Sequence, residues 1–318
     1  MTGRTAGAHD AANRLRVAVA GASGRMGRAL IEAIGASPDV VLSGALDAPG
    51  SASLGQPVAA SAGGKNAIVV TSDLHAGLER AQVLIDFTRP EGTLAHAAVC
   101  RQLGTALVIG TTGFSDAQKA EIVEHAKHIA IVMAPNMSIG VNVVLKLLDT
   151  AARALDEGFD VEIVEAHHRH KIDAPSGTAL KMGEVVAQAS GRDLKECAVY
   201  SRDGLSSPDG GERNPRSIGF SSMRGGDIVG DHTVLFAGNG ERIEITHRAS
   251  SRATYAEGSL RAARFLADRT SGLYGMDDVL GFATPPTSRA ASRAASRPKP
   301  ALAPAGCRSQ RTADEGLQ

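Results

Sequence analysis

The chain has 318 residues and a formal net charge of zero, with 34 Lys and Arg against 34 Asp and Glu. Hydrophobic residues make up 43%, which is enough for the cores of two domains of ordinary size. The balanced charge, the absence of Trp and an aromatic content of 3% argue against a nucleic-acid-binding surface. Three scattered cysteines exclude a disulfide framework, and no apolar run approaches the roughly 20 residues that span a bilayer. No secretory signal pattern begins the sequence, so we expect a soluble, cytoplasmic protein without a membrane partner.

The two ends differ in composition from the middle of the chain. Residues 1–13 are small and polar, and we expect a disordered leader there. Residues 283–318 are rich in Ala, Pro, Arg and Ser and contain no aromatic residue. Such a segment buries too little apolar surface to offset the entropy of ordering it, so we expect a disordered basic tail. The alternative, a basic arm for an anionic partner, is disfavoured because no hydrophobic anchor accompanies the charge.

Between residues 14 and 138, short apolar runs alternate with stretches of helical spacing. The predicted strands are 16–20, 40–46, 67–70, 83–87, 106–109 and 129–133, and the predicted helices are 25–34, 90–102 and 116–128. Ser115 and Gln118 form a capping-box pattern at the start of the last of these helices. Strands that are apolar on both faces and alternate with helices predict a doubly wound parallel sheet of the Rossmann type.

The pattern changes after about residue 140. A long helix is predicted at 138–155 and another at 179–189, with an alternating strand at 159–166. Further strands are predicted at 217–224, 230–236 and 242–247, and we expect them to be antiparallel. A final helix at 255–267 is expected to pack back onto the first domain. We therefore predict a dinucleotide-binding domain, 14–138 completed by 250–282. A second α+β domain, 139–249, would bind substrate and form oligomers through a mixed, largely antiparallel sheet.

A glycine-rich turn separates the first predicted strand from the first predicted helix. Gly21, Gly24 and Gly27 have the spacing GxxGxxG, which permits a tight reversal and lets backbone N–H groups approach a pyrophosphate. Asp47 ends the second strand 20 positions after Gly27, where a carboxylate binds the adenosine ribose. This placement disfavours the alternative of a glycine-rich turn without a ligand. Asp47 favours NADH, while Arg25 could reach a 2′-phosphate, so NADPH stays open.

Two more loops follow strands at the same carboxyl edge of the sheet, where ligands of such sheets bind. One reads Gly110-Thr111-Thr112-Gly113 and the other Ala134-Pro135-Asn136-Met137. Each alone is typical of an ordinary strand-to-helix connection. Together with the glycine-rich turn, they predict a cofactor groove.

Five consecutive basic side chains, His167 to Lys171, follow the strand at 159–166. Because burying them in a core would be costly, we expect them in a cleft that receives anions. Ser176-Gly177-Thr178 precedes the next helix, whose free N–H groups could seat a carboxylate. The basic run and the start of this helix together predict a pocket for a small polyanionic acid. A His of the run would act as a general acid, and Lys171 would supply a positive charge or a proton. A metal site is disfavoured, since HHxH on an extended chain turns neighbouring rings to opposite faces. A solvated edge or oligomer contact remains the alternative for Arg169 and His170.

Six segments carry a family resemblance from about Arg14 to about Gly281: VAVAGASGRMGR, IDFTRPEGT, VIGTTGF, APNMSIGVNV, EAHHRHKIDAPSGTAL and GERIEITHRASSR. The chain resembles the 4-hydroxy-tetrahydrodipicolinate (dihydrodipicolinate) reductases. The resemblance implies NAD(P)H-dependent reduction of 4-hydroxy-tetrahydrodipicolinate, via dihydrodipicolinate, to tetrahydrodipicolinate in diaminopimelate and lysine biosynthesis. It also implies a homotetramer assembled through the C-terminal sheets.

The resemblance further implies roles for individual residues. His167 and Lys171 match the catalytic positions, with the proton donor of the pair left open, and His168, Gly177 and Thr178 match substrate-binding positions. Ala48 stands where some members carry an Arg that contacts the NADP phosphate, which favours NADH. The implied cofactor contacts are Gly21, Ala22, Ser23, Gly24, Arg25, Met26, Asp47, Gly110, Thr111, Thr112, Ala134, Pro135, Asn136 and Met137.

Two rival functions remain to be compared with this one. A phosphorylating semialdehyde dehydrogenase needs a nucleophilic cysteine. Cys100 is predicted within a helix, Cys197 in a connection and Cys307 in the tail, so none is well placed. A regulatory protein that senses NAD(H) without turnover would have no use for the basic run opposite an anion seat.

Overall fold

The computed structural model describes residues 14–58, 67–155, 157–204 and 212–282. These residues belong to one unit of the chain, Met1–Ala283. The leader predicted at 1–13 and the tail predicted at 283–318 lie outside the described residues.

The strands and helices follow one another in the order that the alternating pattern predicts for most of the chain. The strands are β1 Leu15–Ala20, β2 Val40–Leu46, β3 Val70–Thr71, β4 Val83–Asp86, β5 Ala106–Ile109, β6 Ala130–Met133, β7 Asp160–His167, β8 Ala198–Val199, β9 Ile218–Arg224, β10 Gly230–Ala237, β11 Arg242–Ala249 and β12 Gly272–Tyr274. The helices are α1 Arg25–Ala36, α2 Leu74–Leu78, α3 Pro90–Leu103, α4 Asp116–Ala126, α5 Ile139–Ala154, α6 Gly177–Ala189, α7 Leu194–Cys197, α8 Ala253–Leu266 and α9 Met276–Val279.

Strands β1 to β6 and the late strand β12 form a seven-stranded parallel sheet in the order β12-β6-β5-β4-β1-β2-β3. The strand order reverses between β1 and β4, so the carboxyl ends of these two strands flank a crevice where such sheets bind ligands. Separate apolar clusters cover the two faces of the sheet. The prediction of a doubly wound Rossmann-type sheet is confirmed.

The end of the described chain returns to this first sheet. Strand β12 pairs with β6, and helix α8 packs against α1. Arg264 of α8 forms a bidentate ion pair with Asp39, with nitrogen–oxygen distances of 2.7 and 2.9 Å. Helix α8 therefore lies on the first sheet.

Local sequence accounts for most of the helix starts. The predicted capping box is present, because Ser115 Oγ accepts from the Gln118 N–H while the Gln118 side chain accepts from the Ser115 N–H. Pro90 takes the first turn of α3, where its missing N–H costs nothing. The strand predicted at 67–70 joins the sheet only at Val70–Thr71, because Ile68 and Val70 hydrogen-bond to the segment 55–58 instead.

The second sheet has five strands in the order β11-β10-β7-β9-β8. Strand β10 is antiparallel to β7 and β11, whereas β9 is parallel to both β7 and β8. The prediction of a mixed sheet is confirmed, but the expected antiparallel direction of the strand at 217–224 is wrong. The chain leaves β7, crosses the sheet through α6 and re-enters in the same direction, and such a crossover yields a parallel pair.

Helices α5 and α6 cover one face of the second sheet and form a third apolar cluster with it. Two connections run between the sheets: one leads from β6 to α5, and the other leads back from β11 to α8. The two connections lie side by side. A Cβ added at Gly140 would stand 2.9 Å from the His247 ring, and one added at Gly258 would overlap the carbonyl of Met137. These close approaches bring the two connections between the sheets together at the carboxyl edge of the first sheet.

Candidate active site

The glycine-rich turn leads into α1, whose first backbone N–H groups have no side-chain cap. Gly21 adopts a φ of +67°, which favours glycine, and the Gly24 N–H donates to the Gly21 carbonyl at 2.9 Å. Helices α4, α5 and α6 each begin with a Ser that caps the helix, but α1 begins at Gly24 without a side-chain cap. The N-terminal N–H groups of α1 are therefore available to a phosphate.

This turn borders a cavity of about 610 Å³. Beside the turn, the Asp47 carboxylate accepts hydrogen bonds from the hydroxyl and the N–H of Ser23, the latter at 3.2 Å, and from the Ala48 N–H at 2.9 Å. Burial raises the pKa of Asp47, but these hydrogen bonds outweigh burial and lower it overall. Asp47 is thus an ionised acceptor at the end of β2, suited to ribose hydroxyls.

Most of the predicted cofactor residues line this cavity, and three do not. The lining members are Gly21, Ser23, Gly24, Arg25, Met26, Asp47, Gly110, Thr112, Pro135, Asn136 and Met137. Ala22, Thr111 and Ala134 are buried outside the lining. Thr111 hydrogen-bonds to Thr93 at 2.9 Å, and the Ala134 N–H donates to Ile109, so these residues support the loops from behind.

Five lining residues were not predicted from the sequence as site residues: Ala20, Phe87, Thr88, Arg252 and Tyr255. The Phe87 ring covers Gly110 so closely that a Cβ added there would overlap it. The segments IDFTRPEGT and GERIEITHRASSR contain Phe87, Thr88 and Arg252 and could have indicated them. No local pattern indicated Tyr255, because α8 comes from the far end of the chain.

These features together fit a dinucleotide. The uncapped N-terminus of α1 suits a pyrophosphate, and the ionised Asp47 suits a ribose. A side chain at Gly24 would stand 3.1 Å from the Gly21 carbonyl, so the turn itself requires small residues.

A second cavity, of about 1100 Å³, lies between α5, α6 and the end of β7. It gathers the predicted substrate and catalytic residues, which are His167, His168, Lys171, Gly177 and Thr178. His170 also lines it, whereas Arg169 does not. Ser176 caps α6 by accepting from the Ala179 N–H at 3.2 Å, which leaves the N–H groups of Gly177 and Thr178 without a side-chain acceptor.

His167 ends β7 with its ring nearly buried, the side chain being 10% exposed. Its Nδ1 lies 2.6 Å from Glu165 Oε2. Burial lowers the pKa of His167, and the neighbouring Glu165 carboxylate opposes part of that effect. A Cβ added at Gly230 would stand 3.0 Å from His167 Nε2, so the glycine keeps that nitrogen uncovered.

Lys171 lies one turn further along the chain and is 21% exposed. Its Nζ pairs with the Asp173 carboxylate, at 2.9 Å from Oδ2. The Lys171 N–H donates to the His168 carbonyl at 3.1 Å, which curls the basic run back toward the cavity. The run therefore forms a turn, and all of its residues except Arg169 line the second cavity.

The two cavities meet at the start of α6. Asn136 Nδ2 donates to Thr178 Oγ1 at 3.2 Å, and Arg25, Thr112 and Pro135 line both cavities. A molecule in the second cavity would therefore lie next to the groove at the edge of the first sheet. This continuity is what a transfer reaction between two bound molecules requires.

The described residues offer no thiol to this site. Cys100 is fully buried in α3, where burial raises the pKa of its thiol, and Cys197 ends α7 away from both cavities. Cys307 lies outside the described residues. The arrangement gives no support to the semialdehyde dehydrogenase alternative.

Across residues 14–58, 67–155, 157–204 and 212–282, no group of three or more His, Cys, Asp or Glu side chains is placed to hold a metal ion. Within the same ranges, every helix is too short or too polar to cross a membrane.

Comparison with known proteins agrees with this geometry. The family model described as dihydrodipicolinate reductase, N-terminus, matches residues 15–137, and the model described as dihydrodipicolinate reductase, C-terminus, matches residues 140–280. The 4-hydroxy-tetrahydrodipicolinate reductase of Cupriavidus pinatubonensis is 64% identical over 84% of this chain and 100% of its own. That of Aromatoleum aromaticum is 61% identical over 84% of this chain and 96% of its own.

A solved structure shows the same fold at low sequence identity. The dipicolinate-bound dihydrodipicolinate reductase from Paenisporosarcina sp. TG-14 has a TM-score of 0.67 and 24% identity, covering 83% of this chain and 99% of its own. The parallel sheet, the mixed sheet and the two family models, which together span nearly all the described residues, place this chain in the dihydrodipicolinate reductase family.

Proposed function

We propose that this protein reduces 4-hydroxy-tetrahydrodipicolinate, via dihydrodipicolinate, to tetrahydrodipicolinate with NADH or NADPH, in diaminopimelate and lysine biosynthesis. The observation that carries the proposal is the contact between Asn136 and Thr178, which joins the groove at the glycine-rich turn to the basic cavity. Family membership supports the same reaction, because the relatives are named for it.

The second cavity suits a small cyclic dicarboxylate. One carboxylate would accept from the N–H groups of Gly177 and Thr178 at the start of α6, where the helix dipole also favours an anion. His168 and Lys171 would bind the other carboxylate from the opposite wall. This arrangement orients the ring between the basic run and the groove.

The reaction begins with loss of water from the 4-hydroxy compound, which leaves a conjugated imine. A dinucleotide held at the glycine-rich turn and Asp47 would supply the hydride for ring carbon 4. Negative charge that develops along the conjugated system is quenched by a proton delivered to ring carbon 3. His167 or Lys171 donates that proton, and both side chains line the cavity at the end of β7. The protein contributes orientation and the positive charge that favours the anionic transition state.

For the dinucleotide, we propose a preference for NADH with NADPH accepted. Asp47 is an ionised acceptor for ribose hydroxyls and would repel a 2′-phosphate. Ala48 offers no compensating charge beside it, although Arg25 lines the same cavity. The proposed contacts are the predicted residues that line this cavity, extended by Phe87, Thr88, Arg252 and Tyr255, while Ala22, Thr111 and Ala134 support them from behind.

We further propose a homotetramer that works in the cytoplasm. The face of the second sheet away from α5 and α6 carries Val164, Leu235 and Met223, of which Met223 is 55% exposed. An open sheet face of this kind is suited to pairing with a second copy. We assign dinucleotide binding to 14–138 with 250–282, and substrate binding and assembly to 139–249.

The test is oxidation of NADH, followed at 340 nm, with the condensation product of pyruvate and aspartate semialdehyde as substrate. We expect turnover by the wild-type protein and a loss of kcat of about 100-fold or more in His167→Gln, with unchanged affinity for NADH. Binding of NADH without oxidation would favour the sensor alternative. A His167→Gln protein with the kcat of the wild type would contradict the role of His167 as a proton donor.

A further inference from the structure

A buried carboxylate lies behind His167, and the proposed mechanism does not use it. Glu165 is 1% exposed and points from β7 into the space between the second sheet and the start of α6. Arg224, from the neighbouring strand β9, binds both of its oxygens, at 2.9 and 2.8 Å. Such a bidentate pair has a fixed geometry, so both side chains are held in one orientation.

The same carboxylate contacts both halves of the basic cavity. Its Oε2 lies 2.6 Å from Nδ1 of His167, and its Oε1 accepts from the N–H of Ser176 at 3.2 Å. Ser176 is the cap of α6, whose next two residues form the predicted carboxylate seat. One side chain therefore joins the proton donor to the anion seat.

The ionisation of Glu165 determines which nitrogen of the His167 ring carries the proton. Burial raises the pKa of Glu165, but hydrogen bonds from Arg224, Ser222 and His167 outweigh it and lower the pKa to about 2. An ionised carboxylate can only accept, so the proton between the two side chains belongs to Nδ1 of His167. His167 can then donate to substrate only from Nε2 of the imidazolium form, while Nδ1 keeps its proton against Glu165. Nε2 makes no hydrogen bond to any residue that the structure describes.

Arg224 extends the same network to the other proton-donor candidate. Its guanidinium also donates to the carbonyl of Asp173 at 2.6 Å, and Asp173 is the carboxylate that pairs with Lys171. Ser176 Oγ lies 2.9 Å from Nε2 of His232, whose ring packs edge-on against that of His167. These hydrogen bonds and ring contacts connect both proton-donor candidates and Ser176 in one network, with Glu165 at its centre.

We propose that Glu165 is a positioning residue: held by Arg224, it fixes the His167 ring relative to Ser176, the residue that caps α6 immediately before the carboxylate seat. Proton delivery and substrate binding are then set by a single side chain. This inference rests on the proposed function, because His167 and the seat take their roles from it. A merely structural ion pair would instead stabilise the fold without affecting the chemistry.

The test compares Glu165→Gln with Glu162→Gln. Glu162 lies on the same strand and also pairs with an arginine, Arg202, at 2.8 and 2.7 Å, but it contacts neither His167 nor Ser176. We expect Glu165→Gln to lower kcat by about 10- to 100-fold and to raise the substrate KM, with NADH affinity unchanged. The Glu162→Gln protein should keep both kinetic constants within about twofold. Equal effects of the two substitutions would overturn the proposal.

The pH profile distinguishes positioning from stability. The charged and titratable groups around His167 are Glu165, Lys171, Arg224 and His232, and only Glu165 favours the imidazolium. Removing its charge lowers the pKa of His167, so the fall of kcat/KM at high pH should begin at lower pH in Glu165→Gln. An unchanged profile would contradict the positioning role, since a structural pair does not move it.

A measurement on the wild-type protein keeps the inference testable if Glu165→Gln does not fold. Nitrogen-15 NMR of the histidine rings reports which nitrogen of His167 is protonated near neutral pH. We expect the Nδ1–H form, and the Nε2–H form would overturn the inference. This readout does not depend on turnover. Failure of the proposed function would show as absent NADH oxidation by wild type, with the Nδ1–H form still detected.

Discussion

Gly27→Ala is the substitution for which the structure predicts the largest local effect on cofactor binding. Gly27 lies in the first turn of α1 and packs directly onto the turn that precedes the helix. A Cβ at this position would overlap the carbonyl oxygen of Gly21 and stand 2.8 Å from Cα and O of Ala22. Both obstacles are backbone, so no side-chain rotation relieves them.

The size of the effect follows from these distances. Ordinary van der Waals contact begins at about 3.4 Å, so the helix and the turn must separate by about 1 Å. The N–H groups of the turn would then miss their phosphate oxygens, because hydrogen bonds weaken steeply with distance and angle. A hydrogen bond to a charged group contributes about 1.5–3 kcal/mol. Loss of one such bond raises the Kd for NADH by about 10- to 150-fold.

The assay is fluorescence titration of NADH, with circular dichroism and thermal unfolding to verify the fold. Gly225→Ala is the matched control, because a Cβ there meets no atom within 4 Å and its φ does not require glycine. The control should bind NADH as the wild type does. A Kd for Gly27→Ala within twofold of wild type would refute the close packing of α1 on the turn as the basis of phosphate binding.

Three further predictions address the substrate cavity, cofactor choice and pH. Lys171→Ala should lower kcat and raise the substrate KM, because it removes a positive charge from the cavity wall. Unchanged kcat and KM would contradict the assignment of the substrate pocket to this cavity. Ala48→Arg should shift the ratio of kcat/KM toward NADPH, since the new guanidinium lies beside Asp47, and side-by-side titration of both dinucleotides measures this; an unchanged ratio would contradict it. Burial lowers the pKa of His232 to about 4 from 6.5, so the unfolded chain takes up its proton first as the pH falls below 6.5. Between pH 7.5 and 5, urea unfolding should show a loss of stability about 2 kcal/mol larger in wild type than in His232→Gln, and equal losses would refute the burial argument.

Features that depend on local sequence could be predicted directly. The turn from Gly21 to Gly27, the capping box at Ser115 and the acidic end of β2 each depend on residues close together in the chain. Their geometry follows from backbone conformation and hydrogen bonding over a few residues, so spacing alone identifies them. The basic run and the anion seat were likewise visible, because only a few residues separate them.

Features that depend on pairing between distant segments were not predictable in the same way. The direction of β9 depends on the crossover through α6, which residue alternation does not report. Phe87 and Tyr255 reach the first cavity from parts of the chain that the pattern treats separately. The alternating pattern of β7 did not indicate that Glu165 and Glu162 lie in different environments, although Glu165 is buried and Glu162 is not.

The sequence by itself therefore determined the class of the first sheet, the position of the glycine-rich turn and of the basic run, and the family. Each of these features depends on residues that lie within one strand, turn or helix end. Only the tertiary structure decided that Asn136 meets Thr178, joining the two cavities, and that Arg224 holds Glu165 between His167 and Ser176. These contacts join residues up to 59 positions apart, and only side-chain packing between elements sets their distances.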